Sequence, residues 1–369
     1  MLKRLLAVTA AMLLTLAGAV IAADLREDHP TTYVVKKGDT LWDIAGRFLE
    51  KPWLWPEIWQ ANPQVKNPHL IYPGDVLSLV YIDGQPQVRA EAGPRAEPAV
   101  DTIPLSEVEA LLKQFTVVED PESLPYVVGT EDDRIYSTAG QLVYVRGLAN
   151  AQPGMVVDFA RPVNLFGAGN RGNIPGFSPL DFRADRQHTH WGVPKGYGEA
   201  TGEKLGYELQ IHATGEVTNI QGEIASVVLR EEGREIRVGD RVLPSEAQPY
   251  DLQFTPRAPE SIPANARILA VADGMQSGPH LVVAISAGAR DGIRNGHVMS
   301  IWNDGSRPAD IVKNRNAMAA KADRVDLPDE FVGRLMVFRT FDKVSYALVM
   351  DGIRPVHHGD LLKHPDASE

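Results

Sequence analysis

The chain is 369 residues long, carries a net charge of −11 and contains no cysteine. The acidic balance excludes the basic face that marks a nucleic-acid-binding protein. The lack of thiols excludes a lipobox, a disulfide-built scaffold, cysteine-ligated zinc and thiol catalysis. At 44% hydrophobic content the chain can form two or three domains with cores of their own, and its 32 glycines and 27 prolines suit many short strands.

Met1 to Ala23 reads as a secretory signal. Lys3 and Arg4 are basic, Leu5 to Val20 is apolar but diluted by Ala, Thr and Gly, and Ala22 or Ala23 offers a small residue for cleavage. No later segment approaches the ~18 continuous apolar residues of a spanning helix, so the mature protein is expected to be soluble.

The next stretch is the most informative. Tyr33-Val-Val-Lys-Lys-Gly-Asp-Thr-Leu-Trp-Asp-Ile-Ala45 predicts a β-branched strand, a Gly-Asp turn and a helix capped by Thr40. Asn67-Pro-His-Leu-Ile-Tyr-Pro-Gly-Asp-Val-Leu77 predicts a loop, a Pro-Gly turn and a second apolar strand. This pattern closely resembles the LysM module. On that resemblance residues 31–82 form a β-α-α-β unit that binds the N-acetylglucosamine-containing glycan strands of peptidoglycan or chitin. The resemblance places the sugar against Gly38, Asp39, Thr40, Leu41, Ile71 and Pro73, with Asn62 and Pro63 as turn residues beside the site. Glycine lets the backbone approach a ligand, and proline reduces the entropy lost on binding. The same residues also have a purely structural use: Gly38, Asp39 and Thr40 start a helix with nothing bound, and Leu41 and Ile71 serve as core. Between the two loops, Glu50 to Trp59 carries three tryptophans, more than a plain LysM module. Trp55 and Trp59 are assigned to packing, and Trp53 to the surface.

Residues 83–104 contain several prolines and no apolar period, and are expected to be an extended, mobile linker. Pro104 to Gln114 predicts a short amphipathic helix with Leu105, Val108, Leu111 and Leu112 on one face. Beyond Leu124 the texture is strand-like, as in Gln141–Arg146, Met155–Phe159 and Glu223–Leu229. A weak internal repeat runs through it. Tyr144–Val157 parallels Ile285–Val298, Gly206–His212 parallels Gly333–Arg339, and Arg237–Pro244 parallels His357–Lys363, in the same order. The fold class is therefore expected to be α+β: the small module, then a mostly β region of two related units, 105–246 with its leading helix and 260–364. The loops 164–198 and 303–329 interrupt them, the former as a candidate contact surface.

No catalytic set is visible. His188-Thr-His190 supplies one half of a LytM-type zinc site, but His29 and His69 have Tyr33 and Pro73 where the partner aspartate is required. His357-His358 reads as a turn. There is no His-Glu-x-x-His, Gly-x-Ser-x-Gly or Walker motif. Gly167 to Gly172 matches a nucleotide loop only by spacing, without the strand and helix that must frame it. Carboxylate pairs for glycoside hydrolysis are a tertiary property, so a LysM-anchored wall hydrolase stays open as the alternative, as does a generic envelope-maintenance role. No metal and no cofactor are expected.

Leu124–Arg134, Val143–Gly147, Thr214–Val217 and Gly239–Pro244, taken with the amino-terminal module, resemble the LysM protein family associated with the type IV pilus secretin, which joins a signal peptide, LysM and a flagellar outer-ring-like region. The resemblance implies a non-catalytic, wall-associated periplasmic protein near the outer membrane. Its partners would be peptidoglycan glycan strands and the secretin ring, with multiple copies around that ring.

Overall fold

The computed structural model describes residues 25–56, 71–82, 85–91, 93, 108, 112–167, 203–245, 254–272, 281–305 and 325–367. Met1 to Ala23, Asn62, Pro63, Trp59, the segment expected to carry the module's second helix, His188 and His190 lie outside the described residues, as do most of the two long loops. The chain divides into two compact units, Met1–Thr102 and Ile103–Glu369.

In the first unit, β1 (Thr32–Val34), β2 (Val76–Ile82) and β3 (Gln85–Glu91) form an antiparallel sheet in the order β1-β2-β3. The helix α1 (Leu41–Phe48) packs its apolar face on that sheet. Leu41, Ile44, Ala45 and Phe48 recur at helical spacing and are buried with Val35, Leu49, Trp55, Ile71, Leu77 and Val88. The helix starts where a capping box allows it. The Thr40 hydroxyl accepts from Asp43 N at 3.1 Å, and the Asp43 carboxylate accepts from Thr40 N at 3.2 Å. It stops at Leu49, whose backbone is extended and bridges to Leu25.

Two expectations are corrected here. Residues Gln85–Glu91 are strand β3, not linker, with Val88 buried against β2. Trp53 is 2% exposed and stacks on Trp42 at 6.5 Å, so it is core rather than surface.

The second unit holds two rings of strands. β4 (Phe115–Val118) is an added edge strand on the first. That ring comprises β5 (Tyr126–Thr130), β6 (Leu142–Arg146), β7 (Val156–Gly167), β8 (Lys204–Gln221), β9 (Ile224–Gly233) and β10 (Arg241–Pro244), ordered β8-β7-β10-β5-β6-β9, with β9 pairing back to β8. The second comprises β11 (Ile268–Val271), β12 (Val282–Ile285), β13 (Val298–Asn303), β14 (Glu330–Thr340), β15 (Ser345–Gly352) and β16 (Leu361–Lys363), ordered β11-β12-β15-β14-β13-β16. A bridge between Arg267 and Leu361 closes it. Exchanging β5 to β10 for β11 to β16 in chain order reproduces every neighbour relation. Closure removes the free edges that make open sheets prone to aggregation. The period-2 alternation of strands shows in the cores: Val143/Val145 and Val157/Phe159 fill the first ring, and Val283/Ile285, Leu335/Val337 and Ala347/Val349 the second.

One turn recurs at the strand starts. At Gly74-Asp75, Gly239-Asp240 and Gly359-Asp360 the glycine has φ of 92°, 94° and 92°, a conformation costly for any residue with a Cβ. The aspartate then accepts from the N–H three residues earlier, at 3.0 Å from Tyr72, 2.9 Å from Arg237 and 2.8 Å from His357. In each case the glycine N–H and the aspartate C=O exchange bonds with one buried residue across the sheet: Val35, Val127 and Ile268 respectively. Gly140-Gln141 grips Leu229, Gly154-Met155 grips Val217 and Gly296-His297 grips Val337 in the same way.

At Gly296-His297 the acceptor is imidazole Nδ1, which takes the Arg294 N–H at 3.3 Å. Burial, with Arg257 and Arg294 nearby, lowers the His297 pKa to about 4. A base with a depressed folded pKa binds fewer protons folded than unfolded. Its contribution is therefore present above pH ~6.5 and lost as pH falls through that value toward about 4. His212, lowered to about 3, acts in the same direction. His297→Asp retains an acceptor in the turn and removes one of these two protonations. Urea unfolding is expected to show the variant losing roughly 2 kcal/mol less stability than wild type between pH 7 and 4.5; identical pH profiles would contradict the role given to His297.

Candidate functional site

Val35 is the pivot of the first unit. It leaves β1, exchanges backbone bonds with Gly74 and Asp75 at 2.8 and 2.9 Å, and leads directly into the turn Lys36–Asp39. The two loops singled out in the sequence therefore lie side by side at one end of the sheet.

Each candidate residue has a defined place. Gly38 is exposed at φ 91°, and a side chain there would meet nothing within 4 Å. Asp39 is half-buried, and its Oδ2 accepts from the Tyr33 hydroxyl and from Lys36 N, both at 2.8 Å. The Thr40 hydroxyl is buried in the capping box, donating to Asp43 Oδ2 at 2.7 Å. Leu41 and Ile71 are 3% and 1% exposed, so they are core and can offer a ligand only backbone. Pro73 is half-buried and precedes Gly74 in the second turn, where proline pre-sets the backbone. Pro68 and Leu70 lie outside the described residues.

Sequence reading missed two supports. Tyr33 ties β1 to the first turn through Asp39 and carries the Arg47 guanidinium 4.6 Å above its ring. Burial first, and the bond to Asp39 second, push its phenol above the ordinary value. Its spacing six residues before Asp39 was the available signal. Gly93 donates to Asp75 Oδ1 at 2.7 Å and lies so close to Gly74 that a Cβ would approach the Gly74 carbonyl to 2.1 Å. The return of the chain after β3 thus braces the second turn.

At these two turns Lys36, Lys37 and Gly38 are exposed, and Tyr72, Pro73 and Gly74 are half-buried. Among the described residues no group of three His, Asp or Glu side chains is placed to hold a metal ion. Among them, too, no helix is long and apolar enough to cross a membrane.

The LysM domain profile matches residues 33–80. The chain is also similar to an uncharacterized protein, YqbP, of Bacillus subtilis (strain 168), with 42% identity over 60 residues, 14% of this chain and 27% of the relative. The chain thus spans about a quarter of the length of the relative it matches. LysM domains bind the N-acetylglucosamine of peptidoglycan, and this chain carries such a carbohydrate-binding module at its amino-terminal end.

Because the Thr40 hydroxyl serves the helix, its removal is a stability change. Thr40→Val is expected to destabilise the first unit by about 1 kcal/mol, read as a lowered denaturation midpoint. An unchanged midpoint would mean that the capping box does not hold the helix start.

Proposed function

We propose that this protein is a non-catalytic tether that is exported with cleavage of Met1–Ala23, grips peptidoglycan through residues 31–82 and braces the outer-membrane secretin of a type IV pilus machine. The observation that carries the reading is the LysM match over 33–80 on a module whose two turns converge beside Val35. In that reading the glycan lies on the backbone of Gly38 to Leu41 and of Ile71 to Pro73, and it stands on the wall near the outer membrane. Several copies around a ring would add by avidity even where one contact is weak.

The second unit is proposed as two related copies of one six-stranded ring, with residues 105–246 and 260–364 as their extents. The matching strand order and the matching grips at Val127 and Ile268 support it. A protein-contact surface is supported by a cluster of exposed apolar side chains on the first ring. Ser137 and Ile236 exchange both backbone bonds, at 2.8 and 2.9 Å, which runs Tyr136 and Ile135 alongside Arg237 and Val238. Val128 follows the gripped Val127. Ile135, Tyr136, Val128 and Val238 are 78%, 49%, 39% and 56% exposed, and an exposed apolar group of this kind suits protein contact. The segment 164–198 first favoured for that role lies mostly outside the described residues.

Two measurements test the parts separately. Purified protein is expected to sediment with isolated sacculi and to give no clearing in zymography, while Gly38→Trp weakens retention about tenfold, or ~1.4 kcal/mol. Unchanged retention would remove the glycan placement. A photo-crosslinker at Ile135 in intact cells is expected to capture the secretin, and capture of other proteins alone would remove the bracing role while leaving the wall anchor.

A further inference from the structure

The two rings meet through different parts of each. The second contributes its β14–β15 hairpin and the loop beside it. Arg290 and Lys343 meet Glu203, Lys343 also meets Glu119, Arg339 donates to the carbonyls of Leu112 and Phe115, and the Tyr346 hydroxyl donates to Glu208. The first contributes its flank, the chain around β4 with the start of β8. A head-to-tail contact of this kind leaves one surface of each sort unused: the hairpin end of the first ring and the flank of the second.

Strand pairing locates both surfaces. The β8–β9 and β14–β15 ladders correspond with a constant shift of 120 positions (Val217 to Val337, Val227 to Ala347), and an irregularity follows in each, at Val217/Asn219 and at Val337/Arg339. That register, and not the parallel of Gly206 with Gly333 expected from sequence, relates the two ladders. Asn219, Glu223 and Ser226 therefore stand where the second ring has Arg339, Lys343 and Tyr346. Ala149, two residues after Gly147, stands where Arg290 follows Gly288. In place of three cations and a phenol there is a hollow of about 120 Å³, lined by Leu148, Ala149, Ala151, Ile220, Ile224 and Ala225. Apolar cavities of ~150 Å³ hold a benzene-sized group. Ile220 is 36% exposed and lies twelve residues along β8 from Glu208, roughly 40 Å of strand from that contact with the second ring.

The flank of the second ring is open as well. In the first ring Leu205 and Tyr207 are each 5% exposed, and Tyr207 packs on Val118 of β4. Their counterparts Val325 and Leu327, just ahead of β14, are 46% and 45% exposed. Among the described residues β14 pairs only with β13 and β15, so no strand takes the place that β4 holds on β8.

We propose that these two surfaces meet between copies of this chain: the hollow at the β8–β9 hairpin of one copy receives Leu327, with Val325 beside it, of the next. The internal contact joins cations and a phenol to carboxylates and carbonyls, whereas the external one joins apolar to apolar. Neither end therefore fits the other's partner, which keeps the two contacts from being exchanged. Because the two surfaces differ, each copy binds one neighbour on each side, and repetition closes into a ring or runs on as a filament. The inference rests on the correspondence of the two rings and needs neither glycan nor secretin.

The chain has no cysteine, so introduced thiols report on this contact alone. The full chain carrying both Ile220→Cys and Leu327→Cys is expected to oxidise to a ladder of dimers, trimers and higher species, while either substitution alone stops at the dimer. Sedimentation of the wild type is expected to show concentration-dependent self-association. Ile220→Asp or Leu327→Asp, both surface changes that leave the thermal midpoint in place, should weaken it by about tenfold or more. A wild type that stays monomeric, a double-cysteine variant that stops at the dimer, or association that survives both aspartates overturns the proposal. With no sacculi or secretin present, such a failure leaves the tether reading and the relation between the rings standing.

Discussion

The second unit depends on a small backbone exchange: a turn glycine and the residue after it trade two hydrogen bonds with one buried apolar residue of a neighbouring strand. The device does two things at once. The glycine's positive φ reverses the chain, and the paired bonds set the register of the strand that follows. Register matters because a slip of one residue would move every inward valine to the outside. In the first ring Val127 receives β10 and Val217 receives β7; in the second Ile268 receives β16 and Val337 receives β13. Each ring closes through the grip at its aspartate, since β10 meets β5 at one residue pair and β16 meets β11 at one bridge. Asp240 does more than cap its own turn, because it also holds Arg161 in a buried bidentate pair. Removing either partner would leave an uncompensated charge inside the protein.

The two rings are joined by polar contacts whose weight differs with burial. Glu203 meets Arg290 at 2.6 Å and Lys343 at 3.5 Å, and Lys343 meets Glu119 at 3.0 Å, but these carboxylates are at least half exposed and such pairs contribute little. The Tyr346–Glu208 bond is fully enclosed, and burial holds the phenol far above its ordinary pKa. Breaking it strands two polar groups away from water, so it specifies one docking of the rings more than it stabilises them. Arg339 acts similarly where the chain enters β4. Its Nη1 donates to the carbonyls of Leu112 and Phe115 at 2.6 and 2.5 Å, tying that entry to β14.

Local chemistry was legible in the sequence and long-range closure was not. The Thr40 cap, the Gly-Asp turns and the strand-like runs at 141–146, 155–159 and 223–229 depend on residues within a few positions of one another, and the runs mark the starts of β6, β7 and β9 to within a residue, although β7 and β9 continue to Gly167 and Gly233. β3 was missed because Gln, Pro and Arg hide its alternation: Val88 and Ala90 alone mark the inward face. Trp53 was misplaced for a related reason. A tryptophan that follows a proline looks exposed until Trp42, in the first turn of α1, is seen to stack on it. Of the candidate sugar site, the Gly38 and Gly74 turns were readable, and so was the core use of Leu41 and Ile71, both of which are buried. Tyr346 and Glu208 lie 138 positions apart, and no local pattern links them.

The module's side chains are largely committed before any ligand arrives. Thr40 caps α1, Asp39 ties Tyr33 and Lys36, Asp75 ties Tyr72 and Gly93, and Leu41 and Ile71 are core. On the proposed placement, the glycan would meet a surface at Gly38 to Leu41 and Ile71 to Gly74 already held still by those same side chains. That arrangement trades strength for rigidity. Few new side chains are immobilised on binding, so little rotamer entropy is lost, but few charge-assisted bonds are available either. Such a module suits a repetitive, mostly neutral polymer that presents the same acetamido group many times.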